Sequence, residues 1–140
     1  MEMIIENLSY YIIRLDYGEE LREKLESFCR EHDISAGWFN AFGACKDFEI
    51  GYYNLRDKKY ETKIFNEDLE AASIIGNISI LGGKPYMHAH GTFSRPSMEV
   101  IGGHIMKCTI SGTLEIKLEK PDGIINRKLD DFTGLNLMCK

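Results

Sequence analysis

Glu19-Glu20-Leu21-Arg22-Glu23-Lys24-Leu25-Glu26-Ser27-Phe28-Cys29-Arg30-Glu31-His32 is the stretch that decides the fold. Its apolar residues fall at Leu21, Leu25, Phe28 and Cys29, the i, i+4, i+7, i+8 pattern of a helix with one buried stripe. Glu19 and Glu20 stand at the start, where the macrodipole favours negative charge; Arg30 and His32 stand at the end, where positive charge is favoured. Gly18 closes the segment before it. Glu20 and Lys24 are spaced to pair at i, i+4 on a solvated face. This is the one substantial helix that the sequence announces, and a helix of about 14 residues is only about 21 Å long.

The remainder reads as strand. Tyr10 to Asp16 is rich in Tyr and Ile, and Trp38 to Tyr53 holds two strands or one bent strand. Tyr60 to Phe65 follows a polar turn, and Ala72 to Leu81 runs into Gly82-Gly83-Lys84-Pro85, a strong turn signal. Tyr86 to Phe93, His104 to Ile110, Thr113 to Leu118 and a short run near Ile124 to Leu129 complete the set. In Thr113 to Leu118, Leu114, Ile116 and Leu118 alternate with Thr113, Glu115 and Lys117, so one face is apolar. About eight strands and one principal helix give an α+β domain on a mostly antiparallel sheet. The helix is too short to cover both faces. The sheet must therefore curve strongly toward a barrel, or another subunit must cover part of it. A homo-oligomer is expected on that ground, although a closed barrel would need no partner. Residues 1–140 show no linker or internal repeat and read as a single domain.

Composition narrows the classes of function. The 140 residues are 44% hydrophobic, with 17 basic and 22 acidic side chains and a net charge of −5. This excludes collagen-like, low-complexity and strongly disordered chains. It also argues against a nucleic-acid binder driven by phosphate electrostatics. Acidic residues occupy Met1–Glu6, where a secretory signal would carry positive ones, and no apolar run reaches the roughly 18 residues that cross a bilayer. Cys29, Cys45, Cys108 and Cys139 are scattered without a CxxC pair, as expected for reduced thiols. A cytoplasmic protein with no membrane partner is the resulting expectation.

The chemistry lies in three of the four histidines. His88 and His90, in Met87-His88-Ala89-His90-Gly91, point to the same face if the segment is a strand. A loop of about thirteen residues then returns the chain to Gly102-Gly103-His104, where two glycines let the backbone approach a neighbouring strand and bring His104 alongside the pair. Three neutral imidazoles form the protein part of a tetrahedral zinc site with one open position, although other transition metals also accept imidazole. An HxH pair alone fits two ordinary strand histidines equally well, so the metal reading depends on the two segments converging. The fourth ligand is open between Cys108, about 7 Å along the strand from His104, and water or a small anion. Arg95 could hold an anion, and Glu99 or Glu115 could carry a proton; an Arg95–Glu99 surface pair and an exposed Glu115 are the competing readings. Tyr52, Tyr53, Tyr86 and Phe93 either line a pocket or serve as strand packing. His32 reads as a helix-end charge partner.

Several segments resemble the plants-and-prokaryotes-conserved (PPC) domain: Arg14-Leu15-Asp16-Tyr17-Gly18-Glu19-Glu20-Leu21, Gly43-Ala44, Gly76-Asn77-Ile78-Ser79, Pro85 to His90, and Gly102-Gly103-His104-Ile105. The resemblance covers about Tyr11 to Leu118 and implies a compact α+β domain that assembles as a homotrimer, with His88, His90 and His104 as metal ligands. Stand-alone prokaryotic members are commonly labelled predicted DNA-binding proteins. This chain has no Arg-Gly-Arg-Pro hook. The fold is similar to that of acetolactate decarboxylases, which hold zinc with three histidines. Two functions are expected from the whole. The first is a metal-binding trimeric module with a binding or regulatory role toward a protein, a small anion or other small molecule, or nucleic acid. The second is a zinc-dependent lyase or hydrolase acting on a small carboxylate or carbonyl compound. A purely assembling domain with inherited histidines is a third.

Overall fold

The computed structural model describes residues 1–140. Its elements run β1 (Glu2–Glu6), β2 (Tyr10–Leu15), α1 (Leu21–Glu31), β3 (Gly37–Asn54), β4 (Lys59–Phe65), β5 (Leu69–Leu81), β6 (Lys84–Ser94), β7 (Val100–Glu119), β8 (Asn126–Leu129) and β9 (Asn136–Cys139). The helix forms where the apolar stripe places it, and Leu21, Leu25, Phe28 and Cys29 are all buried. Glu20 is its N-cap: the carboxylate accepts from Glu23 N at 2.8 Å and, through its other oxygen, from Cys108 N at 3.1 Å. That double duty takes Glu20 away from Lys24, whose ammonium lies 3.4 Å from Glu19 instead. At the far end, Asp33 adopts a left-handed conformation (φ 54°) and stops the helix.

Several strand boundaries merge. Trp38 to Tyr53 belongs to one bent strand, β3, whose pairing with β7 shifts register between Gly43 and Cys45, between Lys46 and Glu49, and again between Glu49 and Ile50. His104 to Ile110 and Thr113 to Leu118 are parts of the single strand β7. β6 and β7 form a hairpin that pairs as far as Ser94 and Val100, so the expected thirteen-residue loop shrinks to the turn 95–99. The end strands β1 and β9 carry no alternating pattern to announce them.

The topology answers the question of coverage. β3 pairs with β5, β5 with β6, β6 with β7, and β7 with β3. Four strands thus close a ring, and the sheet has curled into a barrel-like form with α1 against β6 and β7. All pairings are antiparallel except a single parallel contact, Ile80 with Asn126, that joins β8 to β5. One core of 27 buried residues fills the interior, drawn from α1 and the inward faces of the strands. Each fully buried aliphatic side chain there, such as Ile13, Leu114 or Ile116, contributes about 1.5–3 kcal/mol relative to exposure. No helix is long and apolar enough to cross a membrane.

Candidate metal centre

β6 is where the sequence pattern becomes geometry. Met87, Ala89 and Phe93 face the core and are fully or nearly fully buried, so His88 and His90 project from the opposite face. His90 is registered directly against His104 across the β6–β7 hairpin. The next pairs outward are Gly91 with Gly103 and Thr92 with Gly102. A side-chain carbon on Gly102 would lie 2.7 Å from the Gly91 carbonyl oxygen, and one on Gly103 would lie 3.0 Å from the Gly51 carbonyl oxygen. Only glycine admits backbones this close, which is the role the sequence assigned to the pair.

Beyond His90 and His104 the two strands part. The main chain of Met87 is left without a β7 partner, and α1 fills the gap. Met87 N donates to Glu26 Oε1 at 2.9 Å, while Arg22 donates to Met87 O at 2.8 Å and to Ile105 O at 3.1 Å. These two helix charges satisfy buried backbone groups beside the histidines.

The three imidazoles form a nearly equilateral group, with ring centroids 5.1–5.2 Å apart. One ring nitrogen from each lies within 4.8 Å of the others, close enough that these histidines could hold a metal ion. His104 is buried, His88 half-buried and His90 exposed. Burial pushes His88 down to about 4, helped by Arg127, His90 and Arg22. Burial also pushes His104 down to about 4, helped by His88, His90 and Arg22. Both rings are therefore neutral at pH 7, the form that has a lone pair for a metal. His104 Nδ1 is buried and has no hydrogen-bond partner. A buried, unpaired imidazole nitrogen is costly, and a metal ion would satisfy it. The donor set fits a borderline-soft divalent ion.

The triad opens onto a cavity of about 1090 Å³. Its walls include Tyr52, Tyr53, Tyr60 and Tyr86, with the Tyr60 ring tilted against the His104 ring at a centroid distance of 4.7 Å. Phe93 lies instead in the core against Phe48, at 4.8 Å. The other expected participants lie elsewhere. Arg95 is held by Glu99 at 3.0 Å and Glu67 at 2.9 Å in the β6–β7 turn, and neither Arg95, Glu99 nor Glu115 lines the cavity. Glu115 is on the outer face of β7, opposite Arg14 and Phe42. Cys108 is not a fourth ligand. A shift in the β3–β7 register between Lys107 and Ile105 breaks the alternation, so Cys108 turns into the core beside Cys45. Two participants are absent from the sequence reading. Arg127 reaches the cavity from β8, and 134–137 close one side of it. A lone arginine in a short strand gave no signal of this.

A family model described as the Plants and Prokaryotes Conserved (PCC) domain matches residues 5–120. The chain belongs to this family. Among solved PCC-like structures, a metal-containing protein of Archaeoglobus fulgidus is 33% identical, with 99% of this chain and 97% of that chain covered and a TM-score of 0.89. A plant- and prokaryote-conserved protein of Pyrococcus horikoshii is 29% identical over 98% of each chain, with a TM-score of 0.88. A candidate DNA-binding protein of Bacteroides thetaiotaomicron is 28% identical, covering 96% of this chain and 94% of that one, with a TM-score of 0.92. Acetolactate decarboxylase of Bacillus subtilis shares the fold alone, at 14% identity and a TM-score of 0.59. A curated relative, the bifunctional protein GlmU of a Synechococcus strain, is 28% identical over 131 residues. The PCC chain spans only 20% of that protein's length.

Proposed function

We propose that this PCC-domain chain is a metal-holding module in which His88, His90 and His104 bind one zinc ion, and that three chains assemble around the shared fold. The observation that carries the reading is the convergence of three imidazole nitrogens, one from each ring, within 4.8 Å. The metal-containing relative from Archaeoglobus fulgidus supports it. Three histidines without a fourth protein ligand favour zinc with an open position, where the ion would supply Lewis acidity.

The role we assign is binding or regulatory, carried out in the cytoplasm. The candidate DNA-binding description of the Bacteroides protein points to nucleic acid. A net charge of −5 weighs against direct phosphate contacts by this chain. Because the barrel closes on itself, the trimer cannot rest on an uncovered core. It rests instead on exposed apolar side chains outside the ring: Trp38 and Phe42 on β3 and Ile75 on β5. The alternative, a zinc-dependent lyase or hydrolase, is favoured by the cavity beside the triad, whose lone carboxylate is Glu61.

Metal content and solution mass test the proposal together. One zinc per chain in a particle of three chains is expected. A monomer would remove the assembly, and a metal-free protein that takes up no added zinc would remove the centre.

A further inference from the structure

The cavity beside the histidines inverts the charge of the molecule. In a chain of net charge −5, it is lined by Lys58, Lys59, Lys63 and Arg127 against the single carboxylate Glu61. Arg127 is half-buried, and all its partners are neutral. Its Nε donates to Ser79 Oγ at 2.7 Å, Nη1 to the Asn136 carbonyl oxygen at 2.6 Å, and Nη2 to Asn77 Oδ1 at 2.8 Å. Three of a guanidinium's five N–H groups are thus used on neutral oxygens. Nη2 also lies 3.4 Å from His88 Nδ1, too far for more than a weak contact. A divalent ion on three neutral imidazoles would add two positive charges beside this cation, with no carboxylate ligand to offset them.

Such a site is completed by an anion. The size and walls of the cavity say which kind. Its volume of about 1090 Å³ lies at the upper end of small-molecule sites, far beyond what an inorganic ion fills. Tyr52, Tyr53, Tyr60 and Tyr86 offer aromatic surface to an organic body. Tyr86 is itself flanked by two cations, with Arg22 5.7 Å and Arg127 5.6 Å from its ring centre. We propose that the cavity binds an organic carboxylate, recognised jointly by the metal centre and the Arg127 guanidinium, with its apolar part against the tyrosines. This rests on the metal reading above. The arginine is supplied by β8, beyond residue 120 where the family match ends.

Calorimetric titration of the full chain provides the test, with zinc stoichiometry measured first. Benzoate is the probe; benzamide is its uncharged counterpart, and inorganic phosphate is the anion without an organic body. Zinc-loaded protein is expected to bind benzoate at least about ten-fold more tightly than benzamide and more tightly than phosphate. Arg127→Gln is expected to weaken benzoate about ten-fold or more while zinc stoichiometry stays unchanged. Protein that holds zinc but binds no benzoate, or binds benzamide equally well, overturns the carboxylate proposal and leaves the metal centre standing. Phosphate binding as tight as benzoate overturns the organic part. Protein that takes up no zinc overturns the metal reading and this inference with it. Should Arg127→Gln fail to fold because Asn77 and Ser79 lose their partner, the benzoate–benzamide comparison on the unmodified chain decides.

Discussion

Gly102→Ala tests how tightly the metal centre is coupled to the approach of β6 and β7. The new methyl carbon would sit 2.7 Å from the Gly91 carbonyl oxygen and 3.5 Å from Thr92 Cα. Ordinary contact begins near 3.4 Å, so the first distance is short by about 0.7 Å. The obstructing atom is backbone and cannot rotate away, so the hairpin must open by several tenths of an ångström. Overpacking of this kind costs about 1–3 kcal/mol. The strain falls two residues from the His90–His104 pair, about 7 Å along each strand. Metal–ligand distances tolerate only about ±0.2 Å, so zinc affinity should fall about ten-fold or more. Urea unfolding reads the stability, and competition with a chromophoric chelator reads the affinity. Unchanged stability would refute the close approach. Wild-type zinc affinity in a clearly destabilised variant would refute the coupling between strand spacing and the metal centre.

Three further outcomes are expected. Chelator-treated protein should lose stability as the pH falls from about 6.5 to about 4. His88 and His104 are pushed down to about 4, so the unfolded chain binds more protons across that window, and stability is full only above it. The loss is about 1–2 kcal/mol per ring once partial solvent access is discounted; thermal melts across this range that show no change would contradict it. Glu26→Ala should cost about 1–3 kcal/mol by urea unfolding, because Met87 N loses its acceptor and Arg22 its carboxylate. Glu26→Gln keeps an acceptor oxygen and should cost less; equal losses would show that the hydrogen bond to Met87 does not matter. With a thiol reagent, one cysteine per native chain, Cys139, should react, and all four after denaturation. Cys45 is fully buried, burial pushes Cys29 up to about 12, and the neighbouring Cys45 thiol together with burial raises Cys108.

What was legible in the sequence was local. The stripe Leu21, Leu25, Phe28, Cys29 specifies a helix because its spacing matches one turn geometry, and all four side chains are buried. His88, His90 and the two glycines before His104 were legible because strand alternation and the absence of a Cβ act over a few residues. The features that escaped depend on register and on where strands part. Cys108 leaves the His104 face because β7 shifts by one residue against β3, and alternation carries no mark of a bulge. Arg22 and Glu26 look like ordinary surface charges until β6 and β7 diverge and expose the Met87 backbone to them. Arg127 enters the cavity through one parallel contact between β5 and β8, Ile80 with Asn126, two residues far apart in the chain. For Arg95 and Glu99 the sequence left two readings, an anion and proton site beside the histidines or a surface pair; the hairpin carries them along β6 and β7 to its far end, where they pair with each other.

Zinc-edge X-ray absorption on the purified full chain tests the central claim most directly. Convergence of His88, His90 and His104 on one ion predicts three imidazole nitrogens at about 2.0–2.1 Å, completed by a further light atom. A sulfur shell near about 2.3 Å, or a zinc signal that survives unchanged in His104→Ala, would contradict it.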